Sequence, residues 1–320
     1  MKRLIAATLA LAASQPAHAF TAYTSNERDN TISVIDLDQM KTVRTIPVGQ
    51  RPRGITITKD GKYLLLCASD DDTIQMIDTT TFKVTGTLPS GPDPELFALH
   101  VSGNPLYVSN ENDARVTVID VNTRKVVAEI PTGVEPEGMA VSPDGQTIVN
   151  TSETTNMAHF IDYASRKPVA STLVDARPRD ATFRHDGAEV WVSSELGGTV
   201  SVIDPKTHQL THKIAFPVQG LRGDQIQPED IQFTHDDKLA FVALGPANRV
   251  AVVDTATYQV KQYLLVGQRV WHLAFTPDSK YLLTTNGLSN DVSVVDVAAL
   301  KVVKSIPVGR MPWGVVVSPK

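Results

Sequence analysis

Seven times along the chain a short run of apolar or alternating residues ends in aspartate: Ser33-Val34-Ile35-Asp36, Gln75-Met76-Ile77-Asp78, Thr117-Val118-Ile119-Asp120, His159-Phe160-Ile161-Asp162, Ser201-Val202-Ile203-Asp204, Ala251-Val252-Val253-Asp254 and Ser293-Val294-Val295-Asp296. Successive aspartates stand 42, 42, 42, 42, 50 and 42 residues apart. A second marker keeps the same beat: Pro52, Pro94, Pro136, Pro178, Pro228, Val270 in place of a proline, and Pro312, at intervals of 42, 42, 42, 50, 42 and 42. Together the two series place eight extra residues between Asp204 and Pro228. A period of about 40 to 45 residues that holds several short strands is the signature of a propeller, whose units bury their apolar faces only by stacking on one another.

Each unit reads as four strands. A first strand such as Gly54 to Thr58 leads through the Lys59-Asp60-Gly61 turn to a second, Tyr63 to Ala68; a loop follows, then the third strand ending in aspartate and a fourth such as Lys83 to Leu88. Helical periodicity is absent. The pattern enters at Phe20 inside a second strand and ends at Pro312 to Val317, which has the character of a first strand. The expected fold is all-β: one seven-bladed β-propeller domain over residues 20–320, with four-stranded antiparallel blades. Its ring would be closed by the C-terminal strand joining the N-terminal blade, so that no inner edge stays open.

Residues 1–19 read as an export signal, with Lys2 and Arg3, an apolar stretch from Leu4 to Ala13, and Ala17-His18-Ala19 before a cleavage point ahead of Phe20. The expected mature protein is periplasmic. Loss of Lys2 and Arg3 takes the net charge from −5 to −7. With no basic stripe, duplex nucleic acid is not an expected partner. The apolar stretch is shorter than the roughly 20 residues that span a bilayer, and nothing later replaces it, so no membrane span is expected. Cys67 is the one cysteine, which excludes an intramolecular disulfide, a CxxCH haem attachment and a Cys-rich zinc site. Its neighbours make it a buried strand thiol.

The stretches from Pro52 to Gly61, Asn30 to Asp36 and Thr45 to Gly49 resemble the YVTN family of bacterial seven-bladed propellers. Within it, the stretches from Ser152 to Asp162, Ala243 to Val250 and Val266 to Trp271 are similar to a subgroup of β-propeller proteins associated with pyrroloquinoline-quinone-dependent catabolism. The resemblance spans the mature chain. It implies a pathway, quinoprotein-dependent alcohol oxidation with a neighbouring ABC transporter, rather than a chemistry. The partners it implies are a periplasmic quinoprotein dehydrogenase or a transporter component.

Residues repeated in every blade belong to the scaffold; residues that differ at equivalent exposed positions can build an asymmetric site. The seven strand-ending aspartates are expected to accept turn hydrogen bonds, as are Asp60, Asp144, Asp186, Asp236 and Asp278 in the turns of the opposite face. His100, His185 and His235 occupy those turns too and read as surface residues. The crossover face differs. Flanking each proline stand Arg51 and Arg53, Asp93 and Glu95, Glu135 and Glu137, Arg177 and Arg179, Gln227 and Glu229, Arg269 and Trp271, and Met311 and Trp313. The loops between second and third strands add Glu27, Asp70, Glu111, Glu153 and Glu195.

Within single blades, Arg53 is expected to pair with Asp70 and Arg179 with Glu195. Glu95 with Glu111, and Glu137 with Glu153, lack such partners. Four crowded carboxylates suit a hard ion, calcium or a lanthanide; the bland alternative leaves them in water or tied to Arg53 and Arg179. Arg51, Arg53, Arg177, Arg179, Arg269, Trp271, Arg310 and Trp313 form the second candidate set. Two indoles with several guanidiniums suit a flat carboxylated ligand such as pyrroloquinoline quinone; alternatively the tryptophans plug the channel. The insertion around Gln219 to Ile226 falls on the same face. No GxSxG, HExxH or phosphate-cradling loop is present, so an enzyme is not expected. The expected function is that of a non-catalytic accessory or binding protein, with a scaffold that binds only other proteins as the alternative.

Overall fold

The computed structural model describes residues 20–318, so the expected export signal lies outside the described residues. Seven four-stranded antiparallel sheets form the ring. Blade 1 comprises Thr21–Asn26, Thr31–Asp36 and Lys41–Pro47, with Pro312–Val317 as its innermost strand. Ala22 lies opposite Val317 and Tyr23 opposite Val316, so the two ends of the described chain zip into one sheet as expected. Blades 2 to 7 occupy residues 52–89, 94–131, 136–173, 178–215, 231–265 and 270–307.

Strand positions set burial. Second strands such as Tyr63–Ala68 are buried almost throughout, whereas fourth strands such as Lys41–Pro47 face solvent. One apolar cluster fills each seam between neighbouring blades: Tyr23, Ile32 and Val34 of blade 1, for instance, pack on Leu64, Leu66 and Ile77 of blade 2. This is how a unit too small to hold a core of its own becomes stable.

The repeated aspartates do what their positions imply. Asp36 accepts the main-chain N–H groups of Asp38 and Gln39 at 3.0 and 2.9 Å, and each of the other six strand-ending aspartates accepts an N–H two or three residues on. Asp60, Asp144, Asp186, Asp236 and Asp278 each accept the N–H two residues on. Cys67 is buried, and burial pushes its thiol up. Among the described residues no helix is long and apolar enough to cross a membrane.

One turn residue departs from expectation. His100 is buried, stacked on Tyr163 of blade 4 at 4.3 Å, with Nε2 3.0 Å from the Gly145 carbonyl oxygen. It stands where other blades carry Thr58, Ser142 or Thr234, the inward residue whose hydroxyl closes the turn, whereas His185 and His235 stand one position later and are exposed.

Candidate functional site: the crossover mouth of the channel

The residue after each marker position is second in the innermost strand in six blades and lies two residues ahead of Ile231–Phe233 in blade 6: Arg53, Glu95, Glu137, Arg179, Glu229, Trp271 and Trp313. In blades 2 to 5 and 7 the ladder shifts register there, as between Pro94 and Phe97, so this residue sits in a bulge and is turned out of the pleat. The residue before the proline is left-handed in six blades, at Arg51, Asp93, Glu135, Arg177, Arg269 and Met311, with φ between 50 and 58°. Such strain persists only where neighbours hold it. Here a side chain of the preceding blade does so: Asn30, Asn156, Asn248 and Asn290 accept the N–H of Arg51, Arg177, Arg269 and Met311 at 2.9 to 3.0 Å.

These two devices aim the side chains across seams. Arg51 Nε lies 2.6 Å from Asp70 and its Nη1 3.2 Å from Glu95, with Asp93 also in contact. Arg53 reaches Glu95 and, at 3.7 Å, Glu27. Arg179 is the hub: Nη2 is 3.0 Å from Glu137 and Nε 3.4 Å from Glu229, and Nη1 bonds Glu153. Arg177 Nε joins Glu153 at 2.9 Å and Glu195 at 3.1 Å, while Arg269 Nη2 joins Glu195 at 3.0 Å and Glu229 at 3.1 Å. The expected pairs Arg53–Asp70 and Arg179–Glu195 do not form. The bulge turns Arg53 and Arg179 toward neighbouring blades, and the left-handed residue before each proline takes the loop carboxylate instead.

The mouth gathers nine carboxylates, Glu27, Asp70, Asp93, Glu95, Glu111, Glu137, Glu153, Glu195 and Glu229, around five guanidiniums. Protons supply part of the missing positive charge. Burial raises Glu137 well above the usual carboxylate range despite Arg179, and pushes Glu229 up to about 8; burial and the adjacent Glu95 raise Glu111. Glu137 is 1% exposed, and its Oε2 has no hydrogen-bond partner.

Of the four carboxylates expected to hold a metal, Glu95 and Glu111 come together, and the third member of their group is Asp93: one oxygen from each lies within 4.8 Å of the others. Glu137 approaches Glu95 from the next blade and lies near Glu153 of its own blade, while Glu153 is taken up by Arg177 and Arg179. Asp93 was legible as Glu95's neighbour across Pro94, but not as its partner.

The aromatic sector is closed at Trp313 and half-open at Trp271. Trp313 is 1% exposed, covered by His272 at 4.0 Å and by Arg53 at 5.5 Å. Trp271 stacks on Arg269 at 4.0 Å, with Arg179 at 5.8 Å. Arg310 does not join the mouth; it is largely exposed and tied to Asp29.

Sequence reasoning missed the next layer down. Asp180 and Asp230 sit side by side across the blade 5–6 seam, where burial pushes Asp180 up to about 6 and burial with Asp180 raises Asp230 well above its usual range. Asp180 accepts the N–H of Ile231 at 3.3 Å, and Asp230 that of Leu273 at 2.7 Å, so these carboxyls tie three blades together. Beside them burial lowers His272 to about 3, leaving a neutral ring 3.0 Å from the Trp313 carbonyl oxygen. The insertion lies on the crossover face and walls a cleft of about 860 Å³ lined by Leu196, Phe216, Val218, Leu221 and Ile226.

A closed ring of seven four-stranded blades with an ion-paired mouth defines the molecule as a seven-bladed β-propeller. The chain belongs to the choice-of-anchor I domain family, whose model matches residues 97–283. Residues 15–89 match the model of the lactonase family of 7-bladed β-propellers. No curated protein matches the chain. Among solved structures, hydrazine synthase of Kuenenia stuttgartiensis is 22% identical, with a TM-score of 0.73 over 81% of this chain and 87% of that one. A functionally unknown protein from Desulfotomaculum acetoxidans is 15% identical, with a TM-score of 0.79 over 93% and 98%. A dihydro-heme d1 dehydrogenase is 15% identical, with a TM-score of 0.69 over 92% and 74%. At these identities the likeness is one of fold.

Proposed function

We propose that this chain is an exported, non-catalytic binding protein of quinoprotein-linked alcohol oxidation, and that its crossover mouth takes a hard cation, calcium or a lanthanide. The setting rests on the resemblance of its repeats to the pyrroloquinoline-quinone-associated propellers and on the signal-like residues 1–19. The cation rests on one observation: nine carboxylates face five guanidiniums in a largely buried ring, and Glu137 Oε2 is left without a partner there. Hard cations take oxygen ligands in clusters of this kind, and more carboxylates tighten binding. Pyrroloquinoline quinone, a planar tricarboxylate, fits less well. Every guanidinium it needs is engaged by a glutamate or aspartate, and its charge would add to the existing excess.

A second reading has its own support. Leu173, Leu196, Leu265 and Leu288, at strand ends and loops of blades 4 to 7 on the crossover face, are 64 to 67% exposed. Beside the apolar cleft they suit a protein partner, which the resemblance makes a quinoprotein dehydrogenase or a transporter component.

Calorimetry of residues 20–320 with calcium, lanthanum and pyrroloquinoline quinone separates these readings. The cation reading expects heat with calcium or lanthanum and a loss of roughly tenfold or more in affinity for Glu95→Gln and Glu137→Gln. Heat with the quinone alone overturns it. Silence with all three ligands, together with co-purification of a dehydrogenase, moves the function to the apolar surface.

A further inference from the structure

On the face opposite the charged mouth, two turns from neighbouring blades bring together histidines that lie 50 residues apart in the chain. The rings of His185 in blade 5 and His235 in blade 6 stand 5.7 Å apart, centre to centre, and meet at 70°. Two imidazoles that share one metal ion at about 2.0 to 2.1 Å hold their ring centres roughly 5 to 6 Å apart and rarely lie parallel. The spacing of the two ring centres is therefore that of a pair able to share one ion.

His185 is also oriented. Its Nδ1 lies 2.7 Å from Asp237 Oδ1. The same carboxylate accepts the main-chain N–H groups of His185 and Asp186, each at 3.0 Å, and so clamps the blade 5 turn from blade 6. A histidine that donates Nδ1–H to a carboxylate presents Nε2 as an unprotonated acceptor, which is how metal-ligating histidines are commonly held. The His235 ring makes no hydrogen bond among the described residues. Both histidines open onto a cavity of about 390 Å³ at this end of the channel, with Gln232 and Ser279 on its wall. That volume leaves space for the water ligands a two-histidine site needs.

We propose that His185 and His235 form a binding site for a borderline divalent transition ion, zinc or copper, with Asp237 as the carboxylate that positions His185. Neutral imidazole selects this class of ion, whereas calcium and lanthanides are held by oxygen, so the site is chemically separate from the crossover mouth and stands independently of the function proposed there.

The test uses residues 20–320 and zinc chloride at pH 7.5, followed by calorimetry and by imidazole nitrogen NMR. One equivalent of zinc is expected to bind and to shift the His185 and His235 resonances while leaving those of the buried His100 and the half-buried His272 in place. His185→Ala and His235→Ala should each abolish that binding; both side chains are exposed, so the variants should melt like the parent. Asp237→Asn should weaken zinc by about 10- to 100-fold while both rings still shift. Absence of zinc heat at pH 7.5, or zinc binding that survives both alanine variants, overturns the site. A calcium titration of the same variants should match the parent, which separates failure here from failure of the cation site at the mouth.

Discussion

At equivalent positions of the innermost strand, five blades fill the crossover mouth with charge and two with rings. Blades 2 to 6 contribute Arg53, Glu95, Glu137, Arg179 and Glu229; blades 7 and 1 contribute Trp271 and Trp313. The loops above follow this split only in part. Glu111, Glu153 and Glu195 crown blades 3 to 5, blades 6 and 7 carry Gly245 and Gly287, and blade 1 carries Glu27 beside its Trp313. A Cβ on Gly287 would meet Trp271 Nε1 at 2.6 Å, so the loop above Trp271 needs a residue without a side chain. The contrast is one of response. Rings held by packing and stacking change little with pH or salt, whereas buried carboxylates must be compensated by guanidiniums, protons or a cation, and those exchange.

The sharpest way to break this comparison is to remove the hub. Arg179→Met leaves Glu137, Glu153 and Glu229 buried without their shared guanidinium and should cost about 3 to 5 kcal/mol at pH 7.5, read by urea denaturation. The loss should grow at pH 9, where Glu229, pushed up to about 8 in the parent, has released its proton. An equal cost at both pH values would mean that Arg179 acts through packing alone.

A smaller effect follows from the raised carboxyls. Glu229 titrates at about 8 in the folded chain against a usual value near 4.5. Between those values the folded state holds a proton that the unfolded state has released, so the stabilisation is complete below about 4.5 and lost as pH rises through about 8. The melting temperature should fall over this window, and Glu229→Gln should flatten the fall. Calcium affinity should move the other way, rising with pH as protons leave Glu111, Glu137 and Glu229. A melting temperature that climbs from pH 5 to 8 in the parent would show these groups to be ionised throughout.

The ring was legible because it is periodic: aspartates and prolines 42 residues apart fix the number of blades, and the shape of the first and last fragments fixes the closure. Membership of the mouth was legible for the same reason, since the flanks of each proline mark the same place in every blade. Pairing was not. Whether Arg53 meets Asp70 or Glu95 depends on a bulge and on a left-handed residue that any side chain can occupy, and neither leaves a mark on residue type. Arg310 shows the cost, being near the mouth in the repeat yet turned outward to Asp29. Neighbours across a seam were harder still. Asp180 with Asp230, and His185 with His235, are each 50 residues apart, because the insertion breaks the period between blades 5 and 6. Position within a turn also misled: His100 reads like His185 until the inward hydroxyl position is counted.

The smallest expected effect tests the aromatic side. Trp271→Phe keeps a ring beside the Arg269 guanidinium but removes the larger indole that stacks on it at 4.0 Å. Cation–π contact at a partly exposed site contributes about 0.5 to 1 kcal/mol, so the variant should lose no more than about that. Because the indole neither accepts nor releases a proton in this range, the loss should be the same at pH 5 and pH 8, and calcium affinity should stay within about twofold of the parent. A loss that grows with pH, or a large change in calcium affinity, would show the two halves of the mouth to be coupled: Arg269 spans both, stacked on Trp271 and paired with Glu195 and Glu229, and is the side chain through which the rings would sense the charge.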